Sequence, residues 1–384
     1  MVVFLAFALS IYALVNFYIA RRGAQALASV PGARRAFLFL FIGLALLFPL
    51  GRILMSVARG RASSFLVEVG NLQMAVMLYS FLAVLAIDLV RLVNAFVPFL
   101  PKAVLAAPGT GPMVFLVAAG AVAATIVLGA LNATRLVTVD LELKIPGKAG
   151  TVERLTVVAA SDLHLGAVVG PKRLEKVVER INALGADVVL FAGDIVDESV
   201  TPEIEAKLGG IMRRLRPRLG VYAVPGNHEF FSGLERNLAC LRSCGLTVLE
   251  DEAVRVDDAF TLVGRRDRTS LKVQEARLSI PGILAKSGLG QDLPVVVLDH
   301  QPVRLEEAER AGAALQISGH THDGQVFPFG VINSFIYELN WGYLRKGPTQ
   351  YYVTSGAGTW GPPIRVGSRA EVVRIRLSFE TKPN

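Results

Sequence analysis

Four apolar runs, near residues 2–20, 36–56, 72–95 and 112–132, fill most of the first third of this 384-residue chain. Each is close to the ~20 residues that cross a bilayer as a helix. A helix suits such a run because it satisfies its own backbone hydrogen bonds, which hydrocarbon cannot do. The polar stretches RRGAQALASVPGARR, GRASSFLVEVGN and PFLPKAVLAAPGTG separate the runs. A cleaved signal peptide would explain one run, but Arg21 and Arg22 follow the first instead of preceding it. No signal explains four. The sequence therefore predicts an all-helical transmembrane region of about four spans over residues 1–134. Asp88 and Arg91 lie three apart in the third run and can share a helix face. One such pair near a helix end is slight support for a transport path.

Charge is divided unevenly along the chain. Residues 1–134 carry nine basic residues and two acids, Glu68 and Asp88, while the remainder carries 31 and 30. The net charge of +8 thus belongs to membrane loops, and no nucleic-acid surface is expected. Four arginines place the first connection in the cytoplasm by the positive-inside rule. Four spans then turn the carboxy-terminal part outward. Arg52, Arg59, Arg61, Arg135, Lys144 and Lys148 pull the other way, so the outward orientation is favoured only narrowly. The expectation is an integral protein of a bacterial inner (plasma) membrane. Two cysteines, Cys240 and Cys244, exclude a disulfide scaffold and read as small apolar residues on a helix. Nothing in the sequence specifies an oligomeric state.

Residues 135–151 read as a linker or leading strand, and from residue 152 the texture changes. Short β-rich runs at 155–161, 187–193, 221–226, 260–264, 294–300, 315–320, 351–356 and 371–378 alternate with helical patterns at 171–184, 202–216, 231–243 and 303–312. Strands that are apolar throughout predict sheets covered on both faces. The expected class for residues 152–384 is α/β, a two-sheet sandwich flanked by helices with its chemistry on strand-end loops.

All five histidines follow predicted strands. The segments are Asp162-Leu163-His164, Gly193-Asp194-Ile195-Val196-Asp197, Gly226-Asn227-His228-Glu229, Asp299-His300 and Gly319-His320-Thr321-His322. Mixed imidazole and carboxylate donors suit Zn, Mn or Fe. Asp194 has two oxygens with which to bridge two ions, and glycines allow the backbone to approach them closely.

In order, these blocks read D-x-H, G-D-x-x-D, G-N-H-[DE], an isolated His and G-H-x-H. The set closely resembles the calcineurin-like metallophosphoesterase family over roughly residues 153–325. The ending GHTHDGQ, with the later YYVTSGAGTWGPPIR, looks like a subgroup with GHTHGGQ-type ends that includes membrane-tethered bacterial phosphoesterases. Asp323 stands where that subgroup has glycine, which alters the loop but no proposed ligand. The resemblance implies a four-layer α/β/β/α sandwich and two divalent metal ions (Mn, Fe or Zn). It gives Asp162, His164, Asp194 and His322 to one ion, and Asp194, Asn227, His300 and His320 to the other. It also implies that a metal-bridging hydroxide attacks phosphorus and that His228 serves the phosphate or the leaving group.

The expected activity is hydrolysis of a phosphoester or pyrophosphate bond at a membrane. The expected partners are the lipid bilayer and a phosphate-containing small molecule or lipid headgroup, with a lipid-linked or nucleotide-linked substrate. Some members of the family cleave the pyrophosphate of a UDP-acylglucosamine, a reaction that needs access to the leaflet holding that lipid. The alternative is a transporter or scaffold with a metal-binding regulatory domain. Three further groups are candidates around the site. Glu229 could orient His228, Asp197 could support a metal-site loop, and Asp299 could orient His300. Arg265, Arg266 and Arg268 could face an anion, or simply solvent. The aromatic stretch 327–343 and Trp360 could wall the metals, touch the bilayer or pack into the core.

Overall fold

The computed structural model describes residues 2–58, 60–147, 152–166, 169–197, 202–273, 276–290 and 292–381. Arg59 and Lys148, which entered the orientation argument, lie outside that set. The chain divides into two compact units, residues 1–131 with 361–364, and residues 132–360 with 365–384.

The first unit is helical. Helices α1 (Val2–Ala26), α2 (Pro31–Val57), α3 (Arg61–Phe96), α4 (Lys102–Ala106) and α5 (Thr110–Thr134) follow the apolar runs, with the short α4 in the last connection. Among the described residues, three segments are long and apolar enough to cross a membrane: Pro31–Met55, Ala62–Phe96 and Thr110–Thr134. The chain therefore has the topology of an integral membrane protein, with three such helices covering the second, third and fourth apolar runs. Asp88 has more partners than its sequence neighbour. Tyr18 donates to it at 2.5 Å, and it pairs with Arg22 at 2.6 Å and Arg91 at 3.3 Å. A polar chain also joins α1 to α3, with Tyr12 donating to Gln73 at 2.8 Å and Gln73 donating to Asn16 at 3.1 Å. Polar groups inside an apolar bundle are tolerated when they satisfy one another across helices.

The second unit contains two six-stranded mixed sheets. The first has the order β1 (Leu136–Gly147), β12 (Ala370–Thr381), β2 (Arg154–Ala160), β3 (Val188–Phe191), β4 (Val221–Ala223) and β5 (Thr247–Val248). Strand β12 runs antiparallel to β2, and β2 to β5 are parallel. The second sheet has the order β10 (Gly342–Lys346), β11 (Thr349–Val353), β9 (Leu315–Ser318), β8 (Val295–Leu298), β7 (Phe260–Gly264) and β6 (Glu252–Val256). Its four middle strands are parallel, with an antiparallel strand at each edge.

Helices α6 (Pro171–Ala183), α7 (Pro202–Met212), α8 (Asn227–Ser232) and α9 (Leu234–Ser243) come between strands of the first sheet, before β5. Helices α10 (Thr269–Lys272), α11 (Ile280–Ser287), α12 (Glu306–Arg310) and α13 (Phe329–Ile336) come later. Pro171 opens α6, where its missing N–H costs nothing. Leu174, Val177, Val178 and Ile181 then recur at helical spacing and are all buried. They join Val158, Val189 and Phe191 of the first sheet in one apolar cluster, to which α7 and α9 contribute Leu208 and Leu238. A second cluster takes Val157 and Leu190 from the first sheet, and Leu262, Leu298 and Ile317 from the second. A third packs Ile283 of α11 and Ala308 of α12 on Val295 and Val297. Strands β2, β3 and β8 are thus covered on both faces, which is why their apolar residues run on without alternating.

Candidate metal centre

The loops that leave the parallel strands build this site. Beyond β2 and β3 the strand pairing continues into the loops. The Asp162 N–H donates to Gly193 O at 3.0 Å, and the His164 N–H donates to Asp194 O at 3.0 Å. Across the two sheets, the His320 N–H donates to the Asp162 carboxylate at 3.1 Å. The Asp194 Oδ1 accepts the N–H of His228 at 2.9 Å.

Close packing here requires unusual backbone. Asp162, His164, Asp194, His320 and His322 all have φ between 49° and 73°, the left-handed region that non-glycine residues rarely enter. Each such residue costs about 1–2 kcal/mol, a cost tolerated mainly where function demands the geometry. Two glycines are required by proximity. A Cβ on Gly226 would run into the Asp194 carboxylate, and one on Gly319 would run into Ser161 and Asp162.

The side chains named from sequence converge. The Nε2 atoms of His164 and His322 face each other at 2.9 Å, and His322 Nε2 lies 3.4 Å from Asp162 Oδ1. His164 Nε2 stands 3.9 Å from both Asp162 Oδ1 and Asp194 Oδ2. On the other side of Asp194, its Oδ2 is 3.1 Å from His300 Nε2. Asn227 Oδ1 lies 3.1 Å from His300 Nε2 and 2.8 Å from His320 Nδ1. Two groups able to hold an ion, Asp162–His164–His322 and Asp194–His300–His320, therefore flank Asp194, and a third links His164, Asp194 and His228.

The chemistry of this donor set fits metal ions. Lone-pair donors are turned toward one another in a buried space, and Nδ1 of both His164 and His322 is buried with no hydrogen-bond partner. Burial, then His300, lowers the His320 imidazole to about 4. Burial and neighbouring His164 hold His322 well below its ordinary value. Both rings are therefore neutral, the form that ligates metals. Burial and nearby Asp194 raise Asp162 against the pull of His300. Burial also opposes charge on Asp194, but His300 and His164 outweigh it and hold that carboxyl far below the usual range.

His228 sits at the edge of the cluster, with its Nε2 4.0 Å from Asp194 Oδ2. Its Nδ1 lies 2.5 Å from Asp197 Oδ1. Burial disfavours its charge, but the Asp197 and Asp194 carboxylates outweigh burial and raise it. Asp197, expected to support a loop, thus orients His228. Glu229 does not orient it. The fully buried Glu229 carboxylate instead accepts the N–H groups of Gly226, Val196 and Asp194 at 2.7, 2.8 and 3.1 Å, tying two site loops together.

Asp299 also departs from expectation. The His300 Nδ1 pairs with Ala192 O at 2.7 Å. Asp299 takes Arg277 at 2.6 Å and Arg265 at 2.9 Å. Arg265 and Arg268 also meet Glu307, at 2.8 and 3.9 Å, and Arg266 meets Glu250 at 3.6 Å. Carboxylates within the fold thus engage all three arginines of that cluster.

Asp323 takes left-handed backbone, with φ 51°, and its carboxylate accepts Asn340 at 2.9 Å. Short polar side chains tolerate this conformation best after glycine. Sequence reasoning missed Arg365, which is fully buried. It donates to the carbonyls of Ser355 and Gly358 at 2.7 and 2.8 Å, and reaches His322 O at 3.4 Å. It braces the loop whose Gly358 N–H donates to Asp162 O at 2.8 Å. The signal was an arginine inside the Gly/Pro-rich segment GTWGPPIR.

Residues 155–324 match the family described as calcineurin-like phosphoesterase. An uncharacterized metallophosphoesterase of Helicobacter pylori (strain ATCC 700392 / 26695) is 33% identical over 227 residues, 59% of this chain and 60% of its own length. A transmembrane protein with metallophosphoesterase domain from Bos taurus is 33% identical over 267 residues, 65% of this chain and 59% of its own. An uncharacterized metallophosphoesterase of Aquifex aeolicus (strain VF5) is 32% identical over 225 residues, 58% of this chain and 85% of its own. The chain spans 60% of the length of the first relatives it matches.

Proposed function

Because this chain belongs to the calcineurin-like metallophosphoesterases, we propose that it is a membrane-anchored hydrolase of phosphoester or pyrophosphate bonds with a dinuclear metal centre. The observation that carries this reading is the convergence of imidazole and carboxylate donors, close enough to share an ion, on both sides of the Asp194 carboxylate. Asp162, His164, Asp194 and His322 would hold one ion, and Asp194, Asn227, His300 and His320 the other. Bound there, Mn, Fe or Zn ions supply Lewis acidity toward phosphoryl oxygens and activate water as a nucleophile. The chain's own residues do the rest. Asp194 sets the relation between the two ligand groups. Asp197 fixes the His228 ring through Nδ1, leaving Nε2 as the atom that donates a proton to the leaving oxygen. Glu229 and Arg365 keep the loops that carry these groups in register.

We read the three apolar clusters as the seams of a four-layer α/β/β/α sandwich, and α1 as a fourth span. The catalytic domain then faces outward from a bacterial inner membrane. The substrate is a lipid-linked or nucleotide-linked phosphate compound. The engagement of Asp88 by Arg22, Arg91 and Tyr18 favours a bundle clamp over a transport path.

The test is metal analysis of the full chain in detergent, with hydrolysis screened on phosphomonoesters, diesters and sugar-nucleotide lipids. Two ions per chain and turnover of at least one class are expected. His228→Ala should keep the metals and lose about 10²–10⁴-fold in kcat. Two bound ions with no hydrolysis of any class would sink the enzymatic reading.

A further inference from the structure

Helix α13 is built the wrong way round for a helix facing water. Its polar Asn333 turns inward and donates to Thr321 O at 3.1 Å. Its apolar residues turn outward, with Phe335 86% exposed, Ile336 66% and Ile332 44%. None of its side chains is buried. From Gly324 to Tyr337 no residue carries a charge. Soluble surfaces scatter single apolar residues, but a contiguous apolar patch marks an interaction surface.

The patch continues to the mouth of the metal centre. Tyr337, which follows α13, lies 6.1 Å from the His320 ring. Exposed Trp360 and exposed Phe231 each pack 5.8 Å from the His228 ring. Aromatic side chains therefore reach the rim of the metal-binding cluster on both sides, half-buried Tyr337 beside His320 and exposed Trp360 and Phe231 beside His228.

We propose that α13 and the aromatic rim lie in the interfacial layer of a lipid bilayer and hold the metal centre against its surface. Three features favour lipid as the occupant. Arg135 alone separates apolar α5 from β1, so a bilayer surface is always covalently close to this domain. Phe, Tyr and Trp are the residues that settle at the headgroup boundary. Residues 324–337 carry no charge that would have to be desolvated on entering the apolar side of that boundary. The patch thus acts as an in-plane anchor, and the phosphate it brings to the metals is one displayed by a membrane lipid. The docking goes beyond the hydrolase reading and stands without it, while the choice of substrate rests on that reading.

The test uses the full chain in nanodiscs of phosphatidylethanolamine and phosphatidylglycerol, with either plain or brominated acyl chains. A fluorophore is placed on Phe335→Cys, and on Glu252→Cys of β6, at the opposite edge of the second sheet from β10, as a control. The native Cys240 and Cys244 are buried and should escape labelling. Bromine should remove about half or more of the emission at position 335, as for a side chain at the acyl boundary, and leave position 252 unchanged. Adding Ile332→Asp and Ile336→Asp should abolish that quenching. Equal emission at both positions would overturn the proposal. So would energy transfer between labels on two copies, which would make α13 a contact between chains. Hydrolysis is not read, so a failed phosphoesterase assay leaves this result intact.

Discussion

Asp299 and His300 are neighbours in sequence and belong to two opposite kinds of buried polar cluster. Asp299 faces Arg265 and Arg277, and Glu307 completes a set in which each charge meets its opposite. His300 faces Asp194 and Asn227, in a set where donors of lone pairs face one another. Burial is the same, at 2% exposure for Asp299 and 0% for His300. The difference is what meets the charges. Around Asp299 the carboxylates meet guanidinium groups, which cannot ligate a metal. Around Asp194 they meet imidazoles and an amide oxygen; His300 offsets part of the charge, and the Nδ1 atoms of His164 and His322 have no hydrogen-bond partner. The second cluster is only partly balanced from within and is built of metal donors, which makes it the candidate site.

The comparison breaks most visibly at Asp194. Asp194→Ala removes the carboxylate that both ligand groups share. The loss should be about 10⁴-fold in kcat, equivalent to the several kcal/mol that metal ions contribute to charge stabilisation. Activity that survives this substitution would remove the shared role of Asp194.

Asp299→Ala should show the reverse pattern. Two buried guanidinium groups lose a partner, and breaking a buried pair in this way costs about 3–5 kcal/mol of stability. Thermal unfolding of the full chain in detergent should move down clearly, while metal stoichiometry at permissive temperature stays the same. Lost metal with unchanged unfolding would place Asp299 with the site.

Asp197→Asn makes a smaller change and sharpens the boundary. It keeps the shape and removes the charge beside His228 Nδ1. Carboxylates that orient an imidazole are worth about 10–100-fold in activity when mutated. Metal content should not change. An effect on metal content would mean that Asp197 belongs to the ligand set.

What sequence could show follows the same division. The convergence of the candidate ligands was legible because each is chemically distinctive and set in short blocks at strand ends, and the parallel strands then bring those blocks together. The order of the main strands was legible from apolar runs. Strands β5, β6 and β10 were missed. The first is two residues long, and the other two lie at sheet edges with partly exposed, mixed sequences. Helix α13 was unreadable as a helix because its apolar face points outward. The self-balancing network was also hidden. Arg265 and Asp299 are 34 positions apart, and nothing in the sequence states that they pair. Adjacency made Glu229 a candidate to orient His228 and Asp299 a candidate to orient His300, although neighbouring side chains often point apart. Their side chains instead leave the backbone toward different partners.

The smallest expected effect tests the idea of an incomplete cluster most directly. Asp162 and Asp194 are buried together, and burial with the Asp194 charge raises Asp162 even against the pull of His300. Asp162→Asn removes one charge and keeps the shape. In metal-free protein it should raise stability by about 1 kcal/mol, as expected for relief of like-charge burial. With metal present the sign should reverse, because the wild type gains binding energy on the folded side that the variant lacks. Paired thermal melts in chelator and in Mn²⁺ would show the crossing. An Asp162→Asn protein less stable in both conditions would mean that the carboxylate is held by its hydrogen bond from His320, as in a self-balancing cluster, and the contrast with Asp299 would fail there.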